Sequence, residues 1–213
     1  MENEREYPLD IATASEIDER QIVEAAKNDA TALSALYRLH YSAIYGYVIR
    51  RIGNAHDAND VVADVFVEMV RYLPRYRWTG APFRCWLLRI AITQINRWAR
   101  RRKWTRLWQP IDDAQQRTQI LPVLDERLEA VRIALSSLPD PFRTVLELHY
   151  FEDLQVDSIA FVMNCRPGTV KSRLSRGRES LRTILSKTIR PQEEEKPANE
   201  RKSVGILLKE AEV

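Results

Sequence analysis

Apolar residues return every three or four positions along most of this chain, and the pattern breaks only at short polar or Pro/Gly stretches. Glu19 to Lys27, Ala30 to Leu39, Tyr41 to Ile52, Ala58 to Leu73 and Pro82 to about Lys103 read as the helices of a first block. Breaks fall at Asn28-Asp29, at Gly53-Asn54 and across Pro74 to Ala81. Residues 105 to 125 carry Pro110 and Pro122 among scattered polar residues with no apolar period, which predicts a flexible linker. Helical spacing resumes near Leu128 to Leu138, Pro141 to Phe151, Val156 to Met163 and Gly168 to Ile189. Few glycines and no valine-rich strand runs accompany this, so the expected fold is all-α. Two helical domains, residues 18–104 and 126–190, would be joined by the linker. A polar extension (residues 1–17) precedes them and a charged tail (residues 191–213), expected to be disordered, follows.

The stretch from Val156 to Leu185 predicts a helix-turn-helix. Val156, Ile159, Ala160 and Met163 give the first helix a core face, Asn164 suits the left-handed residue that ends it, and Pro167 suits the first position of the next. Val170, Leu174, Leu181 and Leu185 would anchor the second helix. Its outward face holds Lys171, Ser172, Ser175, Arg176 and Arg178, with Arg166 at its start and Arg173 and Arg182 on the flanks. The major groove admits such a helix and shows each base pair a different donor and acceptor pattern. Arg176 is therefore the candidate to read guanine, and Arg166 and Lys171 to hold phosphates. A basic helix face that is merely solvated is the plain alternative for this stretch.

Charge adds to this picture by its placement more than by its sum. The formal net charge is +3 over 213 residues, but Arg97, Arg100, Arg101, Arg102, Lys103 and Arg106 gather at the end of the first block. Local clusters set a phosphate footprint. On the same helix Arg89, Thr93, Asn96 and Arg100 form a polar row, so backbone cations and base-meeting side chains occur together. The preceding loop, Arg75 to Gly80, interleaves Tyr76 and Trp78 with arginines, as a surface for unstacked bases would. Burial is the other reading for both aromatics. One helix earlier, Asp57, Asp60, Asp64 and Glu68 share a side beside the core face of Val61, Val62, Val65, Phe66, Met69 and Leu73. That row is either a solvated face or a docking surface for a basic partner.

Cys85 and Cys165 stand far apart without Cys-x-x-Cys or histidine pairing, and His40, His56 and His149 show no metal or nucleophile spacing. No metal, no cofactor and no catalytic site are expected. No apolar run reaches the length of a membrane span and no signal peptide opens the chain, so a cytoplasmic protein without membrane insertion is expected. Nothing indicates a homo-oligomer.

Three motifs in register carry a family resemblance that spans about Asp18 to Leu185. The chain resembles an extracytoplasmic-function (ECF, group 4) sigma factor of the sigma-70 family, an initiation subunit of bacterial RNA polymerase. Asp57-Ala58-Asn59-Asp60-Val61-Val62-Ala63-Asp64-Val65-Phe66 looks like region 2.2, and Phe83-Arg84-Cys85-Trp86-Leu87-Leu88-Arg89-Ile90-Ala91 like regions 2.3 to 2.4. Leu138-Pro139, Phe142 to Leu146 and Gly168 to Leu174 match region 4. The resemblance implies that Asp57, Asp60, Asp64 and Glu68 bind the β′ clamp helices of core polymerase. Tyr76, Arg77, Trp78, Thr79, Arg89, Thr93, Asn96, Arg97, Arg100 and Arg101 would meet the minus-ten element and capture an everted base. Arg166, Thr169, Lys171, Ser172, Arg173, Ser175 and Arg176 would read the minus-thirty-five element as duplex. The resemblance also implies a contact to the β flap, a linker threading toward the RNA exit path, and an anti-sigma factor as a further partner.

The chain departs from the family pattern at several places. Ala63 stands where glutamine is frequent, Thr93 where asparagine is, and no acid lies between Gly80 and Phe83. Gln155 replaces the usual serine or threonine cap, and Asn164 the usual glycine. The competing reading is a helix-turn-helix activator that binds DNA without forming a holoenzyme. Such an activator would need a receiver or ligand domain in front, and the helical first block lacks the alternating βα pattern of a receiver.

Overall fold

The computed structural model describes residues 19–108 and 126–193. The expectations for the N-terminal extension, most of the linker and most of the tail lie outside the described residues. Every regular element among them is helical: α1 (Glu19–Ala25), α2 (Ala30–Ile52), α3 (Ala55–Tyr72), a 3₁₀ turn (Leu73–Arg75), α4 (Phe83–Trp108), α5 (Glu126–Ser136), α6 (Asp140–Tyr150), α7 (Val156–Met163) and α8 (Pro167–Glu193).

The breaks read from the sequence have identifiable caps. Asp29 accepts the Thr31 N–H at 2.9 Å and starts α2. Gly53, at φ +77°, takes the left-handed conformation that ends α2 and returns its N–H to the Ile49 carbonyl. Asn54 then accepts the Asp57 N–H at 3.1 Å and starts α3, so α3 begins one turn earlier than its apolar pattern does. One expected break is absent. Ala30–Ile52 is a single helix, because no breaker separates Leu39 from Tyr41 and His40 is buried within it. At the other end of the block, α4 runs on to Trp108, past the expected domain edge at residue 104.

Two compact units result. In the first, α2, α3 and α4 pack on one another and α1 packs on α2 and α4. Leu36, Ile44, Tyr47, Val65, Met69, Phe83, Leu87 and Leu88 form its core, each with under 2 % of its surface exposed. Burial of side chains this size contributes roughly 1.5–3 kcal/mol apiece. In the second unit α8 packs against α5 and α6, over Val145, Leu146, Leu148, Val170 and Leu174.

α6 and α8 approach closely at Gly177. A Cβ there would lie 3.3 Å from Leu146 Cγ and Cδ1 and 3.4 Å from Phe142 Cβ. The missing side chain lets α6 and α8 meet, which fixes how the second helix of the helix-turn-helix is seated. The helical pattern gave no sign that Gly177 would matter.

Candidate nucleic-acid and partner surfaces

α7 ends at Asn164, whose φ of +49° gives the left-handed turn residue that its position called for. Pro167 opens α8, where its missing N–H leaves no helical bond unmade. Val170 and Leu174 are buried as anchors, while Leu181 and Leu185 are only half-buried. Arg166, Lys171, Ser172, Ser175 and Arg176 are exposed, and Thr169 and Arg173 half-exposed. Ser172 Oγ donates to the Thr169 carbonyl at 3.0 Å. The Arg173 guanidinium reaches Cys165 Sγ at 4.0 Å, so it is turned toward its own turn rather than straight outward. Arg166, Lys171, Ser175 and Arg176 are left as the forward-facing set.

In the first unit, Arg89, Thr93, Asn96 and Arg100 recur at spacings of four, three and four, which puts them on one side of α4. Thr93, Asn96 and Arg100 are exposed, and Thr93 Oγ1 donates to the Arg89 carbonyl at 2.9 Å. Gln94, buried on the same helix, is a polar member of the core that the pattern did not single out.

Tyr76 takes the buried of its two readings. It is buried, its ring 5.2 Å from Phe83 and 4.8 Å from Trp86, and burial together with the charge of nearby Glu19 raises its phenol pKa. An aromatic next to two others at the foot of a helix joins the core, so Tyr76 leaves the set of side chains available to a base. Arg77 and Thr79 are exposed and Trp78 half-exposed, and these keep their place on the loop surface.

The acidic row of α3 does not stand alone either. Asp57 Oδ2 lies 2.7 Å from Arg102 Nη1, and that guanidinium also sits over the Trp98 ring at 5.2 Å. Asp64 Oδ2 lies 3.5 Å from Arg101 Nη2, and Glu68 Oε1 lies 3.6 Å from Arg71 Nη1. Asp60 is exposed and makes no ion pair among the described residues. Asp64, Val67, Glu68, Gln94, Arg97, Arg100 and Arg101 together line one groove of about 760 Å³ between α3 and α4. Two surfaces read as separate thus share an edge, with Arg101 turned toward the Asp64 carboxylate.

A further set was missed because its partners are distant in sequence. Glu19 Oε2 accepts the Phe83 N–H at 3.1 Å and Glu19 Oε1 lies 3.3 Å from His40 Nε2. Burial would raise the Glu19 pKa, but the approach of His40, the hydrogen bond from the Phe83 amide and the charge of Arg84 outweigh it and hold the carboxyl below its ordinary value. No cluster of three or more His, Cys, Asp or Glu side chains able to hold a metal occurs among the described residues. None of the described helices is long and apolar enough to cross a membrane.

Comparison with known proteins places these surfaces in a family. Residues 36–105 match the model of sigma-70 region 2, and residues 128–181 that of sigma-70 region 4. The chain is 30% identical to the RNA polymerase sigma-H factor of Pseudomonas aeruginosa over 82% of its own length and 97% of that protein. It is 28% identical to the ECF RNA polymerase sigma factor SigW of Bacillus subtilis, over 78% and 95% of the two chains. Among solved structures, CnrH, determined in complex with the cytosolic domain of CnrY, aligns with a TM-score of 0.60 at 25% identity, covering 79% of this chain and 97% of CnrH. The helix-turn-helix from Val156 to Arg176, with its exposed row, falls inside the region 4 match, the α3 and α4 rows fall inside region 2, and the chain belongs to the sigma-70 family of RNA polymerase sigma factors, in its ECF group.

Proposed function

We propose that this chain is an alternative initiation factor that joins core RNA polymerase, brings it to particular promoters and helps open them. The observation that carries the proposal is the pairing of two exposed basic rows, one on α4 and one on α8, on two separate helical units of a sigma-family chain. Lone helix-turn-helix activators need only the second row.

The α8 row, led by Arg166, Lys171, Ser175 and Arg176, reads the upstream element as duplex. An arginine offers two donors to the O6 and N7 of guanine, while the other cations neutralise phosphates and set register. Arg77, Trp78 and Thr79 of the loop, with Arg89, Thr93, Asn96 and Arg100 of α4, hold the opened minus-ten strand. Arg97 and Arg101 add cations at the groove edge. Unstacking costs a few kcal/mol per base, and contacts made only to the flipped-out state offset it. The chain's part is binding and strand capture, and the polymerase forms the phosphodiester bonds.

Asp60, with Asp57, Asp64 and Glu68 beside it, docks on the β′ clamp helices, and the second unit meets the β flap. The protein works in the cytoplasm beside the polymerase. CnrH was determined bound to a second protein's cytosolic domain, and a partner that hides both rows, an anti-sigma factor, is the matching regulator here.

Run-off transcription with purified core polymerase on a randomised promoter library tests this reading. Enriched templates sharing two separate elements support it. Templates enriched by the chain only in the presence of a different sigma factor would instead favour the free-standing activator.

A further inference from the structure

We propose that α1 is a splint for the base-capturing loop, with Lys27 and Glu19 as its positioning residues; this rests on the role given to that loop above. The loop leaves the 3₁₀ turn at Tyr76 and enters α4 at Phe83, and α1 grips both ends. Lys27 Nζ, just past the end of α1, donates to the Tyr76 carbonyl at 3.0 Å. Glu19, the first residue of α1, accepts the Phe83 N–H at 3.1 Å. The Tyr76 and Phe83 rings meet edge to face at 5.2 Å and close the loop's base. From Arg77 to Pro82 every residue is exposed or half-exposed.

Both grips are themselves anchored. The Lys27 ammonium also lies 2.7 Å from Glu24 Oε2, and the other Glu19 oxygen faces His40 of α2 at 3.3 Å. The Lys27 side chain is only 17% exposed, so its bond to Tyr76 faces less competition from water than a surface contact does. A loop held at its ends surrenders less conformational freedom when it closes on a base, and that saving appears as discrimination. The grips touch backbone atoms only, so they set where the loop stands and leave its side chains free for DNA.

The test uses the full chain assembled with core polymerase and a fork-junction DNA library, randomised both in the single-stranded minus-ten segment and in the upstream duplex. The wild type enriches a preferred base in the single-stranded segment. Lys27→Met and Glu19→Ala are expected to lower that enrichment about fivefold, the worth of one ordinary hydrogen bond, with upstream preference unchanged. Lys27→Arg, which retains a donor, is expected to restore it. Undiminished minus-ten preference in Lys27→Met and Glu19→Ala overturns the splint. So does a parallel loss of both preferences, which would mark a folding role alone. If the wild type shows no single-strand preference, the loop's capture role fails and the splint fails with it.

Discussion

Arg102 Nη1 lies 2.7 Å from Asp57 Oδ2, so the basic stretch of α4 is tied back to the acidic row of α3. Both side chains are about one quarter exposed, at 27% and 28%. An ion pair at that depth contributes about 1 kcal/mol or less. A double-mutant cycle with Asp57→Asn and Arg102→Met, read by urea unfolding, is expected to return a coupling of that size. A coupling indistinguishable from zero would mean that this pair adds nothing to the hold between the two helices.

On α8, Arg176→Ala is expected to weaken promoter binding by roughly 1–3 kcal/mol, with the loss concentrated at one upstream base pair. Lys171→Ala should weaken all sequences alike and reduce the salt dependence by about one phosphate contact. Fluorescence anisotropy on single-base variants of the upstream element, repeated at several salt concentrations, separates the two patterns.

Gly177→Val is expected to destabilise the second unit by about 1–3 kcal/mol, the usual cost of overpacking a filled core. Leu146, the side chain in the way, is 1% exposed and has little room to move. Denaturant unfolding followed by circular dichroism measures the change. Wild-type stability in this variant would show that α6 and α8 separate easily.

Glu19 sets an acid limb of stability. Its folded pKa lies below the ordinary 4.5, so its contribution is present above that pH and lost as pH falls through the folded value. The advantage of the wild type over Glu19→Gln should therefore hold at pH 5 and shrink below 4.5. Thermal unfolding of both proteins across that range checks the sign. An advantage that grows as the pH drops would reverse it.

Much of this was legible in the sequence because it is local. Asn164 and Pro167 announce the turn and the start of α8, and Asp29, Gly53 and Asn54 announce the ends of α2 and α3. These residues act on backbone within a few positions of themselves. What the sequence hid depends on tertiary approach. The Asp57–Arg102 and Asp64–Arg101 pairs span 45 and 37 positions. The contact of Glu19 with Phe83 spans 64 positions, and no periodicity encodes such meetings. Tyr76 could be read either way until Phe83 and Trp86 were placed beside it. The unbroken run of α2 through His40 shows the converse error, a break inferred where no Gly, Pro or cap residue stood.

Asp60 is the cleanest probe of the central claim, that this chain docks on core polymerase through α3. Reversing Asp64 would also set two arginines against each other at Arg101, whereas Asp60 is exposed and has no ion-pair partner among the described residues. Gel filtration of the purified chain with bacterial core RNA polymerase is the measurement. The wild type is predicted to co-elute with the polymerase, and Asp60→Arg, with an unchanged circular dichroism spectrum, to elute mainly alone. A wild-type chain that stays apart from the polymerase while binding duplex DNA by itself would contradict the account.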